Sequence, residues 1–157
     1  MASVDPVPVR SPVVADKPGV LHRELVRFLD VLRTWLGRTA QQRGAVELET
    51  QSAAIAATDV PMPETQTGLY RASYSLRVTR AATTSSSTTV TMGWTSLGVS
   101  CSQASSAVTG NTTASQTNGV ITMAVDVATP ITYTVAYTSV GATSMQYALD
   151  VRVEELP

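Results

Sequence analysis

His22, Cys101, Asp126 and Asp150 are the groups from which a catalytic or metal-binding centre in this 157-residue chain would have to be assembled. A zinc centre needs three or four converging His, Cys or carboxylate ligands, whereas His22 and Cys101 are each the single residue of their kind. A nucleophilic triad needs an imidazole beside the nucleophile, and no histidine follows His22. Glycoside hydrolysis needs two carboxyl groups flanking one bond. In the late strands the only candidates ahead of the terminal pair Glu154–Glu155 are Asp126 and Asp150, and both alternate with apolar neighbours in a way that points them at solvent. No glycine-rich phosphate loop is present: Gly110 stands alone, and Val108-Thr109-Gly110-Asn111 reads as a turn. Asn111-Thr112-Thr113 matches a glycosylation acceptor, which has meaning only in a secreted eukaryotic protein. His22 reads as a helix-surface residue and Cys101, in the run from Ser96 to Ser102, as a small buried or half-buried side chain. The expectation is no enzyme, no cofactor and no metal site.

The wider composition points the same way. Apolar residues make up 43% of the chain, enough for a core, while charged residues make up only 15%, against the roughly 25% usual in soluble domains. A net charge of -1 provides no basic field for nucleic acid and no polybasic patch for a lipid surface. No apolar run approaches the roughly 18 residues needed to span a bilayer. Residues 1 to 19 lack the basic and apolar regions of a secretory signal, and the single cysteine excludes an intrachain disulfide. Synthesis in a reducing cytoplasm fits.

The charge that exists is unevenly placed. Between Arg80 and Asp150 the only ionisable acid or base, tyrosines and Cys101 aside, is Asp126. Residues 1 to 64 carry six of the ten arginines, the only lysine and eight of the twelve acids. A β domain without Lys, Glu, Arg and Asp must be solvated by hydroxyls or bury that surface against copies of itself.

Three regions position these groups. Residues 1 to 17 interleave Pro6, Pro8 and Pro12 with Val7, Val9, Val13 and Val14. Proline fixes φ and pushes its predecessor into extended geometry, so no helix is expected here. The segment reads either as a disordered tail or as an arm docking into a groove on another protein. Residues 18 to 43 read as an amphipathic helix in which Leu21, Leu25, Phe28, Leu32 and Trp35 follow 4-3-4-3 spacing. So short a seam must pack on something, either its own sandwich or symmetry mates in a trimeric stalk, and we favour the stalk. Gly37 or Gly44 would end it. From 45 to 157 the period becomes two: Tyr70, Ala72, Tyr74, Leu76 and Val78 alternate with Arg71, Ser73, Ser75, Arg77 and Thr79. Further strands are expected over 88–94, 96–101, 119–127, 131–137 and 145–154, with turns at Gly110-Asn111, Asn118-Gly119, Pro130 and Gly141. Seven to nine short strands without intervening helices predict a single antiparallel β-sandwich or jelly roll. The five tyrosines all fall in predicted strands, as core residues or as part of a subunit interface.

The strand Gly68-Leu69-Tyr70-Arg71-Ala72-Ser73-Tyr74-Ser75-Leu76-Arg77-Val78 resembles the Gly-x-Tyr strand of tumour-necrosis-factor-like jelly rolls. Three runs make the region from 45 to 157 similar to small virion proteins of tailed bacteriophages. They are Arg80-Ala81-Ala82-Thr83-Thr84-Ser85-Ser86-Ser87, Val108-Thr109-Gly110-Asn111-Thr112-Thr113 and Ser139-Val140-Gly141-Ala142-Thr143, the last leading into Met145-Gln146-Tyr147-Ala148-Leu149. The resemblance implies a homotrimeric jelly-roll head on the virion, a capsid decoration or head-fibre type of protein made in the host cytoplasm. It would be docked by its N-terminal arm on major capsid, neck or tail proteins. It also implies that Tyr70, Tyr74 and Leu76 face the trimer axis. The alternative is a tail- or neck-associated fibre module that binds a host receptor or surface glycan through the Ser/Thr-rich stretches 81–89 and 102–118.

Overall fold

The computed structural model describes residues 23–36 and 40–157. They fall into two units, one holding the helix and the other a sandwich from Ala40 to Leu156. In the first unit, α1 spans Arg23–Leu36. Its Leu25 and Phe28 are half-buried, while Val26, Leu29, Val31 and Leu32 are exposed. Leu21 and the arm residues Val7, Val9, Val13 and Val14 lie outside the described residues; Trp35 falls in the last turn of α1.

Nine strands build the second unit: β1 (Gln41–Gln51), β2 (Ile55–Asp59), β3 (Gly68–Arg80), β4 (Ser85–Ser96), β5 (Val99–Ala104), β6 (Val108–Thr109), β7 (Gln116–Val125), β8 (Thr132–Val140) and β9 (Gln146–Glu155). One sheet has the order β1-β9-β3-β7 and the other β2-β8-β4-β5, with the short β6 paired to β4. The antiparallel pairs β1·β9, β2·β8, β3·β7 and β4·β5 are nested. The chain is therefore a long hairpin of four-stranded arms rolled on itself, which is a jelly roll.

Alternation writes this fold. In β3, Tyr70, Ala72, Leu76 and Val78 are buried while Arg71 and Arg77 stay exposed. Across the core, Val90 and Met92 of β4, Ile121, Met123 and Val125 of β7, Tyr133 and Val135 of β8, and Tyr147, Leu149, Val151 and Val153 of β9 complete one cluster. Tyrosine hydroxyls find acceptors at its rim: Tyr147 donates to the Ala53 carbonyl at 2.7 Å and Tyr137 to the Met145 carbonyl at 2.8 Å. Burial pushes the Tyr147 phenol up to about 12, helped by the neighbouring Tyr137 and Tyr133.

Five expectations need correcting. The helix does not reach residue 43, because Gln41 and Gln42 already pair with Glu155 and Glu154 in the β1·β9 ladder. Gly44, expected as a helix end, is a strand residue whose missing Cβ makes room for Val60 and Met62 at about 3 Å. The segment 96–101 is not one strand but a hairpin, turning at Leu97 and Gly98 with φ of 51° and 73°. Asn118-Gly119 is not a turn either; both lie within β7, where a side chain at Gly119 would overlap the ring of its cross-strand partner Tyr74. The strand expected over 88–94 begins earlier, at Ser85, so the Ser/Thr run forms the first half of β4, with Thr88 buried and donating to the Ala136 carbonyl at 3.0 Å.

The ladder also orders the ends of the sandwich. Gln41 faces Glu155, and Tyr70 faces the same glutamate, so the chain enters and leaves at one pole. The connections 81–84, 110–115 and 141–145 lie at the other. They are knitted by the Ala82 amide on the Gly110 carbonyl at 2.9 Å and the Asn111 side-chain amide on the Thr84 carbonyl at 3.0 Å.

Candidate functional site: two unlike sheet faces and a braced hairpin

The two outer faces differ in kind. On the β1-β9-β3-β7 sheet, successive cross-strand rows place Arg71 beside Glu154, Ala45-Arg152-Ser73-Val120 in line, and Glu47-Asp150-Ser75-Asn118 in the next line. Ion pairs join Arg71 to Glu154, Arg43 to Glu155, and Arg152 to both Glu47 and Asp150. The guanidinium of Arg152 forks onto Asp150 with both nitrogen–oxygen distances at 3.0 Å, and this hydrogen bonding holds its pKa above the usual arginine value. Asp150 is thus an ion-paired face residue. Between β3 and β7 the face opens into a cleft of about 440 Å³ lined by Ser73, Tyr74, Ser75, Asn118, Gly119, Val120 and Asp150.

The β2-β8-β4-β5 sheet presents the opposite character. Its outward positions are Ser85, Ser87, Thr89, Thr91 and Thr95 on β4, Thr132, Thr134, Ala136, Thr138 and Val140 on β8, and Ser100, Ser102 and Ala104 on β5. Apart from Asp59 on the edge strand β2, these four strands hold no acid or base other than inward tyrosines and Cys101. The charge deficit visible in the sequence is therefore concentrated on one face, where small hydroxyl side chains do the solvating.

At the entry pole, the one acid between Arg80 and Asp150 has a specific task. Asp126 accepts from the Leu97 amide at 2.9 Å and the Gly98 amide at 2.8 Å, one carboxylate oxygen each. Its own amide donates to the Thr95 carbonyl at 3.0 Å, and the Thr65 hydroxyl lies 3.1 Å from its carbonyl. The braced turn carries Leu97, 92% exposed, in the left-handed region that L side chains avoid. Sequence reasoning placed Asp126 at solvent and did not see this role. Its isolation among some seventy neutral residues was the available signal.

Of the residues expected at an oligomer interface in the sheet, Tyr70 and Leu76 are 1% and 0% exposed and belong to the core of a single chain. Alternation put them on the inner face, where the opposing sheet already covers them. Tyr74 lies on the same face, half-buried over Gly119 and packed against that core. No three His, Cys, Asp or Glu side chains converge as a metal site among the described residues, and no helix there is long and apolar enough to cross a membrane.

Comparison with known proteins adds little. No family model matches the chain and no curated protein does. Among solved structures it is similar to the Eiger tumour necrosis factor of S. frugiperda at 9% identity and a TM-score of 0.33, over 75% of this chain and 91% of that one. That likeness is too slight to bear weight, and the jelly-roll assignment rests on the strand order itself.

Proposed function

We propose that the chain is a non-enzymatic structural module of a tailed-bacteriophage virion, a homotrimeric capsid decoration or head-fibre protein. In this reading residues 1 to 17, with Val7, Val9, Val13 and Val14, dock on other virion proteins. The stripe Leu21, Leu25, Phe28, Leu32 and Trp35 packs against the same stripe of sister copies. The observation that carries the assembly part is the uncharged outer face of the β2-β8-β4-β5 sheet beside a normally charged one. A monomer in water gains nothing from stripping charge off one face only, whereas symmetric assembly buries such a face without desolvating ions. The exposed apolar side chains of α1 ask for the same kind of partner. The virion setting rests on the sequence resemblance set out above.

Solution mass tests this reading, with the full chain measured beside residues 40 to 157. A trimer in both supports a contact within the sandwich, and a trimer only in the full chain supports the helical seam. A monomer in both at high concentration overturns the assembly reading. Antibody labelling of purified phage particles then tests the setting. A second reading, a tail- or neck-associated tip that binds a host receptor or glycan, is favoured by the hydroxyl-rich connections at the pole opposite Gln41 and Glu155.

A further inference from the structure

We propose that the cleft between β3 and β7, on the charged face of the sandwich, binds a single neutral pyranose unit of a polysaccharide. Four features of the cleft argue for that ligand class. First, it is a shallow, open depression with about 440 Å³ of accessible space, which suits one sugar ring held by a single face. It exists because Ser73 and Ser75 are small residues set between the outward Arg71 and Arg77 of β3. Second, its polar groups are uncommitted: among the described residues, no hydrogen bond engages the side chains of Ser73, Ser75 or Asn118. Hydroxyls donate and accept and the amide of Asn118 does both, which suits a ligand made of hydroxyl groups.

Third, Asp150 is already oriented. The fork of Arg152 fixes its carboxylate at 3.0 Å on each side and leaves further lone pairs free to accept from ligand hydroxyls. The same arrangement selects against charged ligands. Arg152 is engaged by both Asp150 and Glu47, and no Lys or Arg is among the residues that line the cleft. Anions also meet a trio with one excess negative charge, and among the described residues no third carboxylate converges to hold a metal ion. Fourth, Val120, 62% exposed, walls the cleft with an apolar surface for the C–H face of a sugar ring. Beneath it, Gly119 is locked against the Tyr74 ring, so the floor is set before a ligand arrives. This site lies on β3, β7 and β9, not in the Ser/Thr-rich connections to which the sequence alone would assign a glycan.

The test is a titration of the isotope-labelled full-length chain, followed by amide chemical shifts. The probes are the methyl glycosides of glucose, galactose, mannose and N-acetylglucosamine, taken into the tens of millimolar. The expected result is saturable shifts for at least one glycoside at Ser73, Ser75, Asn118, Gly119, Val120 and Asp150, with a dissociation constant on the order of 1–10 mM. Asn118→Ala and Ser75→Ala, both at solvent-accessible positions, should each weaken binding by roughly tenfold while leaving the rest of the spectrum in place. Saturable shifts confined to 81–84 and 110–115, or no saturable shift with any of the four, would overturn the assignment. Neither result bears on the trimer, which the mass measurement decides separately.

Discussion

The β4–β5 hairpin predicts an unusual outcome, a substitution of an exposed leucine that stabilises the protein. Leu97 and Gly98 both have positive φ, the signature of a two-residue type I′ turn, whose first central position favours Asn, Asp or Gly. An L residue with a Cβ is disfavoured there by about 1–2 kcal/mol, and asparagine tolerates the region better than leucine. At 92% exposure the leucine side chain has no packing to lose. Leu97→Asn should therefore gain about 1 kcal/mol, which for a sandwich of this size raises Tm by roughly 4 °C. Leu97→Ala keeps the Cβ and the strain, so it should leave Tm nearly unchanged and separates strain from hydrophobic exposure. Asp126→Ala should cost about 1 kcal/mol by removing the acceptor of two turn amides that water can only partly replace. Leu97→Asn should recover much of that loss in the double variant. The assay is thermal unfolding by circular dichroism at fixed protein concentration. A fall in Tm for Leu97→Asn with Asp126 intact would refute the claim that the turn is strained.

Three further outcomes follow from the core. Leu76→Ala should cost about 2–5 kcal/mol, and because Leu76 is fully buried within one chain the loss should not vary with protein concentration, as an interface residue would require. Gly119→Ala should cost about 1–3 kcal/mol through collision with the Tyr74 ring, and the added substitution Tyr74→Leu should restore part of it in denaturant titrations. Stability should fall as pH rises from about 10 to about 12. In that range the unfolded chain releases the Tyr147 proton while the folded chain, with its raised pKa, still holds it. Tyr147→Phe should flatten that part of the curve, and an unchanged slope would assign it to another group.

Much of the sandwich could be read in advance because its signal is local. The alternation of Tyr70 to Val78 fixes an inner and an outer face whatever lies opposite. The errors arose where a residue answers to a partner distant in sequence. Gly119 looked like a turn because a glycine after Asn118 usually is one, but it is glycine because of a ring on β3. Gln41 to Arg43 carry no strand signal of their own and become β1 through Glu154 and Glu155, more than a hundred residues away. Tyr70 and Leu76 were read as interface under a family resemblance, although their own alternation pointed inward. The cleft was not legible, since Ser75, Asn118 and Asp150 come from three strands and meet only in the register of the folded sheet.

The shared pole of entry and exit has a practical consequence for attaching cargo. With Gln41 and Glu155 side by side, fusions at either end of the sandwich emerge together and leave the far pole unobstructed. At that far pole Thr113 and Ala114 are exposed at the tip of the 110–115 connection, outside the bonds that knit Ala82, Thr84, Gly110 and Asn111. A peptide epitope inserted between them would interrupt none of those bonds and face away from the attachment side. An array of such chains on a surface would then present every copy of the epitope outward in one orientation.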